Sequence, residues 1–349
     1  MGGPTVSIVH LPGAGPTREQ VIAGVERAMD LAGWREHVPR GAAVALKPNL
    51  GWDLFLPGSI TSPWVFEGVV RAIRGWVGAI HVIESDQVLV DVEKAFHLSG
   101  IDRVCAEYGL SWVNMSLSPM VTVPLPRGRV LREIQIPEII LRTHLITIPV
   151  MKTHNKTTVT GAIKNQWGCL PRFRHNYHLV LDAALADINS IARPCFAVMD
   201  ATIGLEGNSP KSGLPRVVDR LLASADPVAL DVVAAKLMGF DPARIGHLRE
   251  CSEAGLGILD PDRIAVVGDD DLSLNLRFIP AHHNMVSWME LALRRGPRLR
   301  KIFFDGFPFR ICCALARVYY FAWYSMLGVG RRRRDRILRS TSYGAQWKA

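Results

Sequence analysis

Reactive side chains concentrate between Lys152 and His178: Lys152, Thr153, His154, Asn155 and Lys156, then Lys164 and Asn165, then Arg172, Arg174, His175 and His178. The run starts where an apolar, strand-like segment, residues 145–151, gives out. Open α/β sheets bind ligands at the carboxyl ends of their strands, so this placement predicts a site. Lys152 and His154 stand two apart and share one side of an extended segment. A lysine deprived of water loses proton affinity and histidine titrates near neutrality, so the pair suits proton transfer beside a carbonyl or carboxylate. Anion binding by Lys152, with His154 as a hydrogen-bonded structural residue, is the simpler use of the same pair.

Three more polar clusters follow apolar runs: Lys47 with Asn49; Glu84, Ser85 and Asp86; and Asp200 with Glu206. If their strands share one sheet and direction, all four clusters meet in one crevice. Lys152, His154 and Lys164 are the candidate catalytic residues, with His154 as acid/base and Lys47, Lys152 and Lys164 neutralising an anion. Asn49, Asn165, Arg172, His175 and His178 are candidates for further substrate contacts. Asp86, Asp200 and Glu206 could hold a divalent metal or orient the cations. The segment 160–168 offers Gly161, Lys164 and two amides to a phosphate or carboxylate but lacks the P-loop pattern. His175 and His178, three apart, make a metal pair only if Asp182 or Asp200 approaches. Residues 206–213 have the composition of a turn-rich loop that could cover the crevice.

The elements that must position these groups alternate. Residues 6–9, 43–46, 79–83 and 195–199 read as strands, 18–32, 63–76, 90–108, 179–191 and 227–238 as helices, and 139–150 as an extended lead into Lys152. Thr17, Ser62 with Pro63, and Asp226 with Pro227 are expected caps. Segments 121–125 and 130–136 suggest a hairpin or a sheet edge, and 264–267 a last short strand. The fold expected is a layered α/β body with a mixed, mostly parallel sheet flanked by helices. It covers residues 1–293 as a single elaborated domain or two interleaved lobes, and a basic, aromatic-rich helical tail covers 294–349.

Charge sets the tail apart. Of the net +9, residues 294–349 carry 14 Lys and Arg against two acidic residues, a net +12, which leaves −3 on the first 293. The apolar stretch after Arg317 is about a dozen residues, short of the roughly 20 that span a bilayer. An in-plane helix is therefore expected, with Arg331, Arg332, Arg333 and Arg334 on anionic headgroups and Trp323 in the interface. Docking of the tail on the body or on a second subunit is the competing reading, which leaves a homo-oligomer open. Nucleic acid is not an expected partner, because the basic residues form no recognisable module for it. The six cysteines contain no Cys-x-x-Cys pair, and no secretory signal is visible at the amino terminus. A cytoplasmic protein, peripheral on the inner face of the cell membrane, is the expectation.

Five blocks resemble a known pattern: Lys47-Pro48-Asn49; Pro149-Val150-Met151-Lys152-Thr153-His154; Gly161-Ala162-Ile163-Lys164-Asn165; Glu206-Gly207-Asn208 with Pro210 and Gly213; and Ser224-Ala225-Asp226-Pro227-Val228-Ala229-Leu230-Asp231. In this order they are similar to the signature blocks of the prokaryotic family of domain of unknown function 362. Many members carry an added ferredoxin-like module. This chain lacks its cysteine run, so no iron-sulfur cluster is expected and no redox role transfers; the cofactor stays unassigned. A looser similarity of layout links the chain to the nickel-pincer lactate racemase family. The leading expectation is an enzyme acting on an anionic small molecule by Lys/His acid-base chemistry. A non-catalytic redox or assembly accessory, and a racemase-like proton transfer, are the alternatives.

Overall fold

Strands buried on both faces need apolar residues at successive positions, because alternate side chains enter two different cores. In the computed structural model, which describes residues 3–13, 15–282, 285–304 and 307–348, the central strands meet this requirement. Strands β1 (Thr5–His10), β2 (Ala43–Pro48), β3 (Ala79–Glu84) and β4 (Ser111–Asn114) alternate with helices α1 (Arg18–Leu31), α2 (Pro63–Ile73), α3 (Val92–Ser99) and α4 (Ile101–Tyr108). A separate antiparallel pair, β5 (Met120–Pro124) and β6 (Glu133–Pro137), forms the expected hairpin and leads into the short α5 (Glu138–Arg142). Then come β7 (His144–Ile148), β8 (Val150–His154), β9 (Thr158–Thr160), α6 (Ala162–Asn165) and α7 (Leu181–Ile191). β10 (Phe196–Glu206), β11 (Leu214–Ser224), α8 (Pro227–Met238), α9 (Gly246–Glu253) and β12 (Ala265–Gly268) complete the body.

The main sheet has the order β12-β1-β11-β10-β7-β2-β3-β4, with β8 on β10 and β9 on β8. Along that order β11 alone runs against its neighbours. Val44, Leu46, Val82, Ile146, Phe196 and Val198 enter a core with α1–α4. The residues between them, such as Ala45, Ile83, Leu145 and Ala197, enter a second core with α7–α9. The layered, mostly parallel α/β fold is thus present. The expected caps also form: Thr17 in a capping box, Ser62 before Pro63, and Asp226 accepting from Val228 and Ala229.

Four local expectations change. The helix read over 90–108 is two helices, because Gly100 takes a left-handed conformation (φ 78°) between them. The extended reading of 139–150 gives way at its start to α5. The strand read over 195–199 runs on to Glu206, held by β11, which the sequence did not reveal. Residues 172–180 form 3-10 turns before α7.

Beyond the body lie α10 (Met285–Arg295), α11 (Pro297–Phe304), α12 (Phe307–Phe321) and α13 (Val329–Ser340). No described helix is long and apolar enough to cross a membrane. The last part of the tail docks on the body. Tyr320, Ile337 and Tyr343 are buried in the α1–α4 core. Tyr343 donates to Asp219 Oδ1 (2.6 Å), Tyr324 to the Phe55 carbonyl (2.7 Å) and Trp347 to the Ser99 carbonyl (3.1 Å). This corrects the roles expected for three residues. Arg333 donates to the carbonyls of Ser212 and Gly213 (2.8 and 2.9 Å), Trp323 lies under the Arg333 guanidinium, and Arg334 pairs with Asp335. Only Arg331 and Arg332 of the arginine run remain exposed. Truncating Tyr343, 1% exposed, to alanine should lower the urea midpoint by the equivalent of about 3–5 kcal/mol; an unchanged midpoint would show that the docked tail adds nothing to stability.

Candidate functional site

Pro149 ends β7, and the chain steps sideways to pair β8 with β10, setting Val150 opposite Asp200 and Lys152 opposite Leu205. Lys152 and His154 therefore lie within a buried strand, not beyond one as expected. β2 and β3 end beside them, delivering Lys47, Asn49 and Glu84. The predicted residues Lys47, Asn49, Lys152, His154, Lys164, Asn165, His175 and His178 all line one cavity of about 600 Å³. The side chain of Arg172 lies outside the described residues.

A hydrogen-bond relay fixes the floor. The Lys152 ammonium donates to Asn49 Oδ1 (2.6 Å) and the Ser59 carbonyl (2.9 Å). Asn49 Nδ2 donates to Asn165 Oδ1, and Asn165 Nδ2 donates to Thr147 and to the Lys47 carbonyl. Burial lowers the Lys152 pKa to about 7; Glu84 opposes that shift and Lys47 adds to it. Lys164 also falls to about 7, through burial and then the charges of Lys156 and Arg174. It is half-buried, holds its nitrogen 5.8 Å from the centre of the Trp167 ring, and makes no hydrogen bond among the described residues.

Three predicted roles shift. Lys47 pairs with Glu84 (2.7 Å), both almost fully buried, so its charge is already met from within the protein. His154 accepts the Lys156 backbone N–H at Nδ1 (3.0 Å), and burial followed by Lys164 holds its pKa well below the usual range. Both effects favour the neutral imidazole, whose remaining ring N–H can donate into the cavity at the position expected to be the acid/base. His178 bonds Glu290 (2.6 Å) and His175 stacks on Phe309 (4.3 Å between centroids), and the condition set for a metal pair, a gathering with Asp182 or Asp200, is not met among the described residues.

The carboxylate trio does not assemble either. Asp86 accepts from Val92 N and borders a neighbouring cavity of about 240 Å³. Asp200 accepts from Ser62 N, Thr202 N and Thr202 Oγ1. Glu206 takes Arg216 and Ile279 N. Each is consumed by a structural donor, and no three His, Cys, Asp or Glu side chains gather as a metal site among the described residues.

Three contributors, Asp231, Lys211 and Glu290, escaped the sequence reading of the site, and Arg174 was read there only as a donor without a partner assigned. Asp231, inside α8, accepts from Ala162 N (2.7 Å) and Ile163 N (3.0 Å), and so fixes the short helix that presents Lys164 and Asn165. Gly161 allows this approach, since a Cβ there would sit 2.0 Å from Asp231 Oδ1. Lys211, on the 207–213 loop, lies 4.5 Å from the Trp52 ring centre and falls to about 7 through burial. Arg174 donates to the Leu170 and Asp86 carbonyls and binds that turn to the end of β3. Glu290, on α10, accepts from Lys156 (2.7 Å), His178 and Arg294 (3.0 Å). Burial raises its pKa, but His178 and Lys156 outweigh that and hold it well below the usual value. With Lys156 and Arg294 matching its charge, His178 stays neutral and donates. The motif Gly161–Asn165 followed by Asp231 was a visible signal for the first of these; nothing in the sequence tied Glu290 to partners more than a hundred residues away.

Residues 44–236 match the family described as domain of unknown function (DUF362). The chain belongs to this family. Its matched span holds the whole cationic floor, from Lys47 to Asp231, while α10–α12 lie outside it. A curated relative, a thylakoid-associated protein of Synechocystis sp., is 32% identical over 120 residues, which cover 32% of this chain and 37% of that protein. The match thus spans little more than a third of the relative's length. Two solved structures match part of the chain with low scores. A Thermotoga maritima protein has TM-score 0.39 and 13% identity, over 70% of this chain and 59% of that one. The lactate racemase apoprotein of Thermoanaerobacterium thermosaccharolyticum has TM-score 0.41 and 11% identity, over 71% and 56%.

The buried Lys47–Glu84 pair should behave as a unit. Lys47→Met alone should cost about 3–5 kcal/mol by leaving Glu84 uncompensated, and adding Glu84→Leu should recover most of it in urea unfolding. Equal losses in the single and double variants would contradict the pairing.

Proposed function

We propose that the chain is an enzyme that binds a carboxylate or phosphate compound in this cavity and moves a proton on it. The observation that carries the reading is a pair of lysines, Lys152 and Lys164, held in one cavity with no ion-pair partner of their own among the described residues. Lysines lowered to neutrality attract an anion, which restores their charge, and can exchange protons at working pH. The two divide the work by their neighbours. Lys152 has two oxygen acceptors that favour its ammonium, which suits it to hold the anion; Lys164 has none among the described residues, which suits it to be the base. His154 supplies a neutral N–H to the same ligand, and Lys211 adds a third cation. A carbon next to the bound carboxylate or carbonyl is the group that Lys164 would deprotonate.

The pH dependence follows in sign. Folded Lys152 and Lys164 lose their protons near pH 7, whereas an unfolded lysine keeps its proton to about 10.5. Folding between these values releases protons, so stability rises with pH across that window and is level below it. Anion binding reverses this and takes protons up. Phosphate or carboxylate affinity should therefore fall as pH climbs through 7, by up to about tenfold per pH unit for each coupled lysine. Calorimetric titrations in buffers of different ionisation enthalpy measure both effects; Lys152→Met and Lys164→Met should each weaken the dependence and together remove most of it. Affinity independent of pH from 6 to 9, on the order of three units, would refute the reading.

The same reading includes peripheral attachment to an anionic bilayer, though by a different surface from the one the arginine run suggested. Trp288, Phe307, Ile311, Leu315 and Val318 face outward on α10 and α12, with Arg295, Arg310 and Arg317 exposed beside them. Apolar residues flanked by arginines suit an in-plane docking face, and the relative's thylakoid association agrees with it. The full chain should float with phosphatidylglycerol vesicles and not with phosphatidylcholine ones. Trp288→Ser with Phe307→Ser should reduce flotation at least about fivefold, each lost aromatic costing on the order of 1 kcal/mol or more; undiminished flotation would exclude this face.

A further inference from the structure

The cavity has two unlike ends. Its floor is Lys47, Asn49, Lys152, Lys164 and Arg174, set by the strand ends and α6. Its other wall comes from the tail helices: Met289 and Leu293 of α10, Phe304 of α11, and Phe309, Ala316 and Tyr319 of α12. A small polar anion would contact the floor and leave that wall facing water, with nothing gained from its apolar surface. Glu290 ties α10 to Lys156 and His178, so the apolar wall is fixed over the cationic floor.

The wall also leads outward. Leu315 and Val318 line the cavity yet are 62% and 64% exposed, so the apolar lining continues onto the outer face of α12. That face carries Phe307 and Ile311, also exposed, with Arg310 and Arg317 at its edge. Floor, wall and outer face form one path from a cationic seat to an apolar surface.

We infer that the ligand is an amphiphile, with an anionic phosphate or carboxylate head on Lys152 and Lys164 and a hydrocarbon chain along the α10–α12 wall, entering from an anionic bilayer between Leu315 and Val318. The inference rests on the anion-binding reading above and narrows its substrate class. An apolar chain gains by leaving water for such a wall, whereas the charged head gains only where fixed cations replace its hydration. A cavity of about 600 Å³ is within the size that encloses such a molecule.

The test titrates the full chain with dodecyl phosphate, inorganic phosphate and dodecyl maltoside, each below its micelle concentration where it has one. Dodecyl phosphate should bind at least about a hundredfold more tightly than inorganic phosphate, because only a few buried methylenes are needed for that ratio. Ala316→Trp, which fills the wall, and Met289→Glu, at a half-exposed position that tolerates a charge, should each narrow the ratio at least about tenfold. Equal affinities for the two phosphates would overturn the amphiphile while leaving the anion site standing. Maltoside binding as tight as dodecyl phosphate would overturn it by showing that the head is not recognised. Failure of both phosphates to bind would overturn the anion reading and this inference together.

Discussion

Two lysines in one cavity, Lys152 buried and Lys164 half-buried, with no carboxylate paired to either among the described residues, are the constraint around which this protein is arranged. Charge in a low-dielectric site is costly unless it is matched, and an unmatched lysine responds by shedding its proton. Lys47 and Lys156 meet this cost internally, through Glu84 and Glu290. Lys152 and Lys164 have no such carboxylate among the described residues, and the proposed anion is what would match them. The surrounding structure maintains that condition: the relay through Asn49 and Asn165 fixes Lys152, and Asp231 fixes α6 and with it Lys164.

The parallel sheet explains why these groups meet. Strands running the same way, covered on both faces, can expose polar side chains to a ligand only at their ends, and β2, β3, β7–β8 and β10 all end on one side. Tail helices then close that side. Glu290 is the pin: a single carboxylate on α10 answers Lys156, His178 and Arg294, so the wall outside the family-matched segment is bonded to the floor inside it.

Much of this was legible from the chain alone, and for identifiable reasons. Lys47 and Asn49 follow a run of buried apolar residues, and that pattern reports a strand end directly; Lys152 follows β7 in the same way although it falls inside β8, and Lys164 stood out by its glycine-led motif, which folds as α6. β11 was not legible, because Pro215, Arg216, Asp219 and Arg220 interrupt its alternation, and its pairing with β10 is decided by tertiary contacts. The extension of β10 through Asp200 and Gly204 was hidden in the same way. His154 looked titratable because a sequence does not show the backbone N–H that occupies its Nδ1. The carboxylates looked like metal ligands because the sequence does not show that their donors reach them: Ser62 N from far along the chain, and Val92 N and Arg216 only once the turn after β3 and the β10–β11 pair have formed. Arg333 belonged to a run read as meeting anionic headgroups, yet the carbonyls at 212–213 draw it inward.

The central claim is that Lys152 and Lys164 lose their protons near neutrality in the empty protein and regain them when an anion binds. Carbon-13 NMR of the full chain labelled at lysine Cε, titrated from acid to alkaline pH and assigned with Lys152→Arg and Lys164→Arg, measures this directly. The account predicts that both assigned signals titrate near pH 7 without ligand and move to higher pH with phosphate. Titration of both near 10.5, the ordinary lysine value, with no response to phosphate would contradict it.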